Sequence, residues 1–596
     1  MRQFQFPYEN EDKFVNSLRK IKQWCNSSVT SAVLFQVYTY TLNRPKVETV
    51  CAIIEKEIPD SYIMGCSTNG NILFGDYCDS EVVVVCSVFE YFTTKIKILQ
   101  FPINPQNAKE VTDTLIRETK ENDWCKCVMC FTTIRGISTS DFCDELKNLP
   151  EHIQFFGGGA MNIDMNSDYA FVFSSAGKIS DHSIVFALMG GEDFNVESTF
   201  ITGWKPLGRD LLVTKAEGPI LYELEGKPAY DTYFKYLNIK NDEHFFNNTL
   251  EFPFFYEHNG INILRAPTAA QEDGSLVMTA NMEENVKARI AYGDPWTILS
   301  KVDEEALNFK NFIPEALFVF SCAARKTFWG VEEAGKETRP FQSLAPTSGF
   351  YTSGEFLRTD GHVNQHNVTL VVAAMREGKR NLDKMPEAEL NEQEFSGSVS
   401  MINRLATFIQ AATEELEEAN EQLRLAAIID GLTQIYNRRE IQRRIIEEAD
   451  AANDVFSENN PEKAVKPNCL IMIDIDDFKT VNDEFGHQKG DEVLQKLAEM
   501  MKTISAQNVP DSSVGRWGGE EFMILLPNTD IKKASVIAEL LRVNFASIDF
   551  EEAHYRTISV GVTQMIPGED ADTYCMRVDT ALYRGKNNGK NQVVVL

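Results

Sequence analysis

Residues 515–522 read Gly-Arg-Trp-Gly-Gly-Glu-Glu-Phe, the stretch that most narrows what this chain can fold into. Ser513 and Val514 precede it, and the apolar run from Phe522 to Leu526 follows. Two apolar runs around a glycine pair predict a β-hairpin, with Gly518 and Gly519 supplying the positive φ angles of a tight turn. Glu520 and Glu521 come next. Bare backbone beside two carboxylates suits a metal-bound phosphate that must approach the main chain closely. By itself the motif is also compatible with an acidic surface hairpin.

A second acidic cluster lies upstream. Residues 469–473, Cys-Leu-Ile-Met-Ile, form a continuous apolar run expected to be a buried central strand. It ends in Asp474, Ile475, Asp476, Asp477, Phe478 and Lys479. Strand alternation places Asp474 and Asp476 on one face and Ile475 on the other. Carboxylates at a buried strand end are costly unless paired or metal-bound. A few hard oxygen ligands with phosphate alongside point to Mg²⁺, with Mn²⁺ as the alternative ion. An EF-hand loop fails, because Phe478 and Lys479 stand where a further ligand and a glycine should follow. Downstream, Gly486 and Gly490 mark a turn, after which Asp491 is placed to cap a helix over 492–501. Asn482 and Asp491 at a pocket rim suit guanine: the carboxylate accepts from the ring N–H and amino groups, and the amide complements the carbonyl. A simple helix cap is the other reading of Asp491.

In order, these motifs resemble a GGDEF domain of the diguanylate cyclase family across residues 430–596. Asp430-Gly431-Leu432-Thr433 and Asn437-Arg438-Arg439 match the opening signature, and Thr557 to Val562, Asp579 to Tyr583 and Lys586 to Asn591 match the closing ones. The resemblance implies a central antiparallel sheet with helices around it, similar to the palm of nucleotide polymerases. It implies metal binding by Asp474, Glu520 and the Ile475 carbonyl. Guanine falls to Asn482 and Asp491, and the triphosphate to Lys479, Lys586 and Lys590, with Phe478 in the same loop. Gly518 and Gly519 would let the hairpin approach the substrate, and Glu520, Glu521 and Asp474 form the catalytic set. Lys590 stands where many relatives have Arg, so charge is kept but bidentate geometry is not.

The implied reaction joins two GTP into cyclic di-GMP and releases two pyrophosphates. One site holds one GTP, so two antiparallel sites, and hence a homodimer, are required. The inhibitory Arg-x-x-Asp of many relatives is replaced here by Val509 and Ser512. Product inhibition through that site is therefore expected to be weak or absent.

The whole chain sets further bounds. At 596 residues, a prior of roughly 150 residues per domain suggests about four units. A net charge of −30 argues against nucleic-acid binding and against an anionic membrane surface. No apolar run approaches a membrane span, and the first residues lack a signal-peptide core. A cytoplasmic protein with no membrane insertion is expected. Cys125, Cys127 and Cys130 lie in an apolar strand pattern with no second pair nearby, which favours core packing over a redox or metal role.

Residues 20–200 alternate strand-like and helix-like stretches, the pattern of a layered α/β domain. Gly65 to Gly70, the triple glycine Gly157 to Gly159, Ser321-Cys322-Ala323-Ala324-Arg325 and Gly349 to Glu355 resemble the FIST sensory module. The resemblance implies a small ligand, with an amino acid as one class and haem as another. Arg325 and Glu355, with Cys322 beside them, would clamp a ligand's carboxylate and amine; a structural Arg325–Glu355 ion pair is the alternative. His258, His362 and His366 are the histidines a haem reading would use, against ordinary loop positions.

Ile402, Leu405, Ile409, Ala412, Leu416, Ala419, Leu423 and Ala426 alternate at spacings of three and four, a heptad seam. A parallel dimer coiled coil is expected, against a helix packed on its own domain. The expected architecture is α/β and α+β multidomain. A layered sensor occupies 25–205 and 206–378, a coiled-coil signalling helix 395–428, and a palm-like cyclase 429–596. The function expected is a ligand-regulated diguanylate cyclase. The alternatives are a catalytically inactive GGDEF module and a haem-based gas sensor with cyclase output.

Overall fold

The computed structural model describes residues 1–133, 138–164, 169–391, 401–457 and 466–596. It divides into two compact units, Met1–Thr413 and Glu414–Leu596.

The described strands of the first unit form four sheets. One contains Arg2–Pro7, Val82–Phe89, Ala32–Thr39, Tyr62–Ser67 and Val172–Ser174. Helices Glu11–Ser27 and Arg44–Glu57 cover it, with Phe14, Leu18, Ile21, Val47, Val50 and Ile54 in the same core as the strands. The first 24 residues are thus part of this fold, which begins before the expected start at residue 25. Two further sheets are shared across the expected boundary at 205/206. The hairpin of Glu355–Thr359 and His362–His366 pairs with Gln154–Gly159, so C-terminal residues complete an N-terminal sheet. Reciprocally, Asn71–Leu73 pairs with Thr347–Thr352 and extends a sheet made of later strands. The triple glycine lets the strand Gln154–Gly159 lie close to its other neighbour: a Cβ on Gly157 would lie 1.9 Å from the Cys130 carbonyl oxygen. All twelve cysteines are free, and Cys125, Cys127 and Cys130 are buried in the strand Cys125–Thr132. Burial pushes all three thiols up, which suits core packing.

The long helix Met401–Ile428 bridges the two units in sequence. Residues 395–400 of the expected connector, and the side chain of Ile402, lie outside the described residues. Of the seam, Leu405, Leu416 and Leu423 are 50%, 62% and 68% exposed, so the apolar stripe is uncovered in the single chain.

The second unit is built on a five-stranded sheet in the order Ser513–Arg516, Glu521–Leu526, Cys469–Ile475, Ile558–Gln564, Val593–Val595. It is antiparallel except for the last pair. The central strand is buried on both faces because helices cover both. Ile471 and Ile473 face a core with Val493, Leu497, Ala538 and Leu541. Leu470 and Met472 face the other core, made by helices Arg438–Ser457 and Ala571–Asn587. The second helix lies directly on Gly561, whose missing Cβ would be 2.5 Å from both Leu582 N and Val578 O. We expect Gly561→Ala to push this helix off the sheet and destabilise the domain by about 1–3 kcal/mol, as overpacking does. A lowered denaturant midpoint with unchanged slope checks it.

Candidate active site

The alternation that buries Leu470 and Met472 against helix Ala571–Asn587 carries Asp474 onto that same face. Asp474 is only 3% exposed, at the strand's end. Lys586 reaches it from the last turn of the helix, with Nζ 2.6 Å from Oδ2. Across the sheet Asp474 is in register with Glu521, so like charges stand opposite each other. Burial raises the Asp474 carboxyl to about 6; Lys586 pulls it down, and Glu520 and Glu521 push it up. This is a site that wants more positive charge than one ammonium supplies.

The turn after the strand is held by Asp476, whose carboxylate accepts from Thr557 Oγ1 and Ser559 Oγ, each at 2.6 Å, and from Asn591 N at 3.0 Å. Asp477 then adopts a left-handed conformation, φ 54°, and opens helix Phe478–Phe485 with no side-chain cap. The first amides of that helix have no intrahelical partner, an arrangement that receives phosphate. Lys479 is exposed beside them, and Lys590 Nζ lies 2.6 Å from Asp477 Oδ1. The Phe478 ring is packed in the core, so this residue can offer a ligand only its main chain.

Asn482 and Asp491 stand on two helices packed against each other. The second begins earlier than expected, at His487, with Gly486 at φ 82° as its N-terminal boundary. Asp491 is therefore inside the helix and exposed, and it does not cap it. Gly490, expected in the turn, is helical and serves Asn482: a Cβ there would lie 2.0 Å from Asn482 Oδ1.

The hairpin is present, closed by Trp517 N and Gly518 N donating to the Glu521 carbonyl at 2.8 and 3.1 Å. The reason expected for its glycines is corrected: neither Gly518 nor Gly519 has positive φ. What they supply is bare surface. A Cβ on Gly519 would meet nothing within 4 Å, and one on Gly518 would press on Glu521 Oε2 at 2.8 Å. The turn is braced by Arg516, to which no role was assigned from sequence. Its Nη2 donates to Gly519 O at 2.7 Å and its Nε to Gly518 O at 3.2 Å, while Nη1 lies 3.3 Å from Asp430 Oδ1. The adjacency of Arg516 to the glycine pair was its only sequence signal. Glu520, at the tip, is partly exposed.

Among the described residues no three His, Cys, Asp or Glu side chains form a ready-made metal cage. Asp474 and Glu520, with the Ile475 carbonyl, are hard oxygen donors that fit a divalent ion sharing its shell with substrate phosphates.

In the first unit, Arg325 and Glu355 do not stand as a pair. Arg325 is fully buried and paired with Glu337, Nη2 to Oε1 at 2.5 Å, with Nη1 donating to the carbonyls of Ile201, Thr202 and Val368. It does not pair with Glu355, because all of this donor capacity is spent on the fold. Glu355 is buried, with the Thr369 backbone and the buried Cys322 thiol beside its carboxylate. Of the histidines, His258 pairs with Glu283, His366 is buried against Phe200, and His362 is exposed.

Three family models match. Residues 33–227 match FIST N, residues 229–358 match FIST C, and residues 427–592 match the model described as diguanylate cyclase, GGDEF domain. Diguanylate cyclase DgcM of Escherichia coli (strain K12) is 35% identical over 203 residues, covering 34% of this chain and 47% of the relative. A diguanylate cyclase of Vibrio cholerae is 37% identical over 184 residues, 30% of this chain and 53% of the relative. The chain thus spans about half the length of these relatives. The crystal structure of the coiled coil and GGDEF domain of DgcB from Caulobacter crescentus in complex with c-di-GMP covers 33% of this chain and 100% of that one, at 29% identity and a TM-score of 0.30. No described helix is long and apolar enough to cross a membrane.

The raised Asp474 carboxyl makes stability pH-dependent. Between about pH 4, the ordinary carboxylate range, and pH 6, the unfolded chain releases this proton while the metal-free folded chain keeps it. The contribution is therefore full below that window and is lost as pH rises through it. Denaturant midpoints measured in chelator should show this fall, and Asp474→Asn should lack it.

Proposed function

We propose that residues 429–596 form a diguanylate cyclase that condenses two GTP into cyclic di-GMP and two pyrophosphates as a dimer. The observation that carries this reading is the placement of Asp474, Glu521 and Lys586 on one sheet face beside the bare Gly518–Gly519 turn. A bound divalent ion, Mg²⁺ or Mn²⁺, would neutralise charge on the α-phosphate and lower the pKa of the attacking 3′-hydroxyl. Asp474, Glu520 and the Ile475 carbonyl hold it. Lys586 pairs with Asp474, and with a divalent ion on that carboxylate its ammonium would be available to the triphosphate. Lys479, Lys590 and the amides opening helix Phe478–Phe485 receive the remaining phosphate charge. Asn482, kept clear by Gly490, and Asp491 hold guanine, and the Asp491 carboxylate disfavours adenine by facing its acceptor N1. Glu521 is assigned the proton of the attacking hydroxyl. Most of the acceleration comes from alignment and electrostatics.

The second copy is brought by the exposed seam of Leu405, Ile409, Leu416 and Leu423, a two-stranded parallel coiled coil. Residues 1–378 are assigned the role of a cytoplasmic small-molecule sensor that regulates the cyclase.

Purified protein with GTP and Mg²⁺ should yield cyclic di-GMP, and Glu520→Ala should lower turnover by roughly 10²–10³-fold, the scale of lost electrostatic stabilisers. Absence of product from both the full chain and residues 401–596 would leave a binding module without turnover. Product feedback is the companion measurement. Val509, at the end of helix His487–Asn508, is buried and brings no guanidinium to this position. Turnover should persist as cyclic di-GMP accumulates, and tight product binding to metal-free protein with a blocked substrate site would contradict this.

A further inference from the structure

The chain carries a net charge of −30, yet one hollow of the first unit gathers cations that no carboxylate holds. It opens along Phe194–Ile201, the edge strand of its sheet, where that strand packs against the neighbouring sheet. Its volume is about 360 Å³, a size typical of small-molecule sites. Lys126 reaches it from the strand Cys125–Thr132, Arg376 from Leu370–Glu377, and Arg380 from the segment just beyond.

Each of these cations is short of a counter-charge. Arg376 is only 7% exposed. Its Nε donates to the Phe312 carbonyl at 3.1 Å and its Nη1 to the Gly378 carbonyl, while Nη2 has no hydrogen-bond partner among the described residues. Lys126 Nζ likewise meets only carbonyls, those of Glu192 at 3.0 Å and Phe194 at 2.7 Å, which leaves one of its three N–H donors over. Arg380 is exposed and makes no ion pair among the described residues. Burial pushes the Arg376 pKa down, and the Arg380 charge adds to the push, against Glu315 and Glu197. A guanidinium keeps its proton in proteins, so the cost stands as desolvation and mutual repulsion. Glu197, exposed, is the one carboxylate lining the hollow among the described residues. Three cations against one acid leave two positive charges unanswered.

A phosphate monoester carries close to that charge at neutral pH, and its oxygens match the forked donors of guanidinium. A single carboxylate brings half as much. Gln154, whose Oε1 accepts from Ser198 Oγ at 2.8 Å, keeps its amide N–H₂ as a further donor. The hollow is larger than a phosphate alone, and Val196 and Phe312 give it an apolar wall. We propose that this hollow binds a dianionic phosphate group, free or carried by a small organic molecule, between Arg376, Arg380 and Lys126. The inference stands on charge and shape and assumes neither the cyclase nor its control by a small molecule, so its failure leaves both of those readings untouched.

The test is calorimetric titration of the full chain with phenyl phosphate, with inorganic phosphate and, as a dianion of other chemistry, with succinate. Chelator is present throughout, so that the metal-dependent site of the second unit does not take the phosphate. Phenyl phosphate is expected to bind, and Arg380→Gln and Lys126→Gln should each weaken it roughly tenfold, the scale of one lost charge-assisted hydrogen bond. Lys479→Gln should bind as the parent does. Arg380 has no contact to lose, so the result for Arg380→Gln decides the matter even if Lys126→Gln, which gives up two carbonyl contacts, does not fold. Tighter binding of phenyl phosphate than of inorganic phosphate assigns the hollow to an organic phosphate, and equal binding assigns it to the free ion; both support the site. No binding of either phosphate, equal affinity for succinate, or full affinity in Arg380→Gln overturns the proposal. Loss of binding in Lys479→Gln places the anion in the second unit and overturns it as well.

Discussion

The second unit is organised around the cost of ending an apolar, doubly covered strand in two buried carboxylates. Residues 469–473 leave no room for water, and Asp474 and Asp476 follow at once with exposures of 3% and 5%. The structure treats them differently. Asp476 is satisfied locally by two hydroxyls and one amide, and thereby fixes the strand Ile558–Gln564 and the loop at Asn591. Asp474 is given only Lys586 and is set against Glu521. One carboxylate spends its hydrogen bonds on geometry; the other is left with an unfilled demand for positive charge. Gly561 belongs to the same solution, since without its bare surface the helix that carries Lys586 would stand too far from the sheet.

Much of this was legible because it is local. The alternation of 469–476, the hairpin around 515–522 and the carboxylates at their ends are short-range patterns, and each falls where expected. What failed was reasoning that needed a neighbour not adjacent in sequence. The glycine pair suggested a positive-φ turn, but its backbone is ordinary and the glycines matter for space alone. Asp491 looked like a cap because Gly490 looked like a turn. Gly490 is instead helical because Asn482, from another helix, leaves no volume for a side chain. Arg516 gave almost no signal, because its two partners, the turn carbonyls and Asp430, are brought together only by the fold.

The first unit shows the same division more sharply. Its individual strands follow from apolar runs such as Val82–Phe89, yet their partners do not. Asn71–Leu73 pairs with Thr347–Thr352, and Glu355–Thr359 with Gln154–Gly159, over separations that no local periodicity encodes. The alternative reading, an Arg325–Glu355 ion pair, fails because the nearer carboxylate, Glu337, holds the guanidinium.

The end of the long helix Met401–Ile428 meets the catalytic turn through a short series of directional contacts. Asn437 Nδ2 donates to the Ala427 carbonyl at 2.7 Å, and its N–H donates to Ile428 O at 2.8 Å. Asp430 N–H then donates to Ile435 O, and the Asp430 carboxylate faces Arg516, which holds the carbonyls of Gly518 and Gly519. Each joint is a hydrogen bond or ion pair with little slack, so rotation of the helix end must be absorbed by breaking one of them or be passed to the glycine turn. The seam above these joints presents leucines at three of its described positions but alanine at Ala412, Ala419 and Ala426. Alanine contributes little buried area, so two copies gain modest energy from any single register. A weakly specified stripe joined to a tightly held turn leaves more compliance in the helix Met401–Ile428 than at the glycine turn.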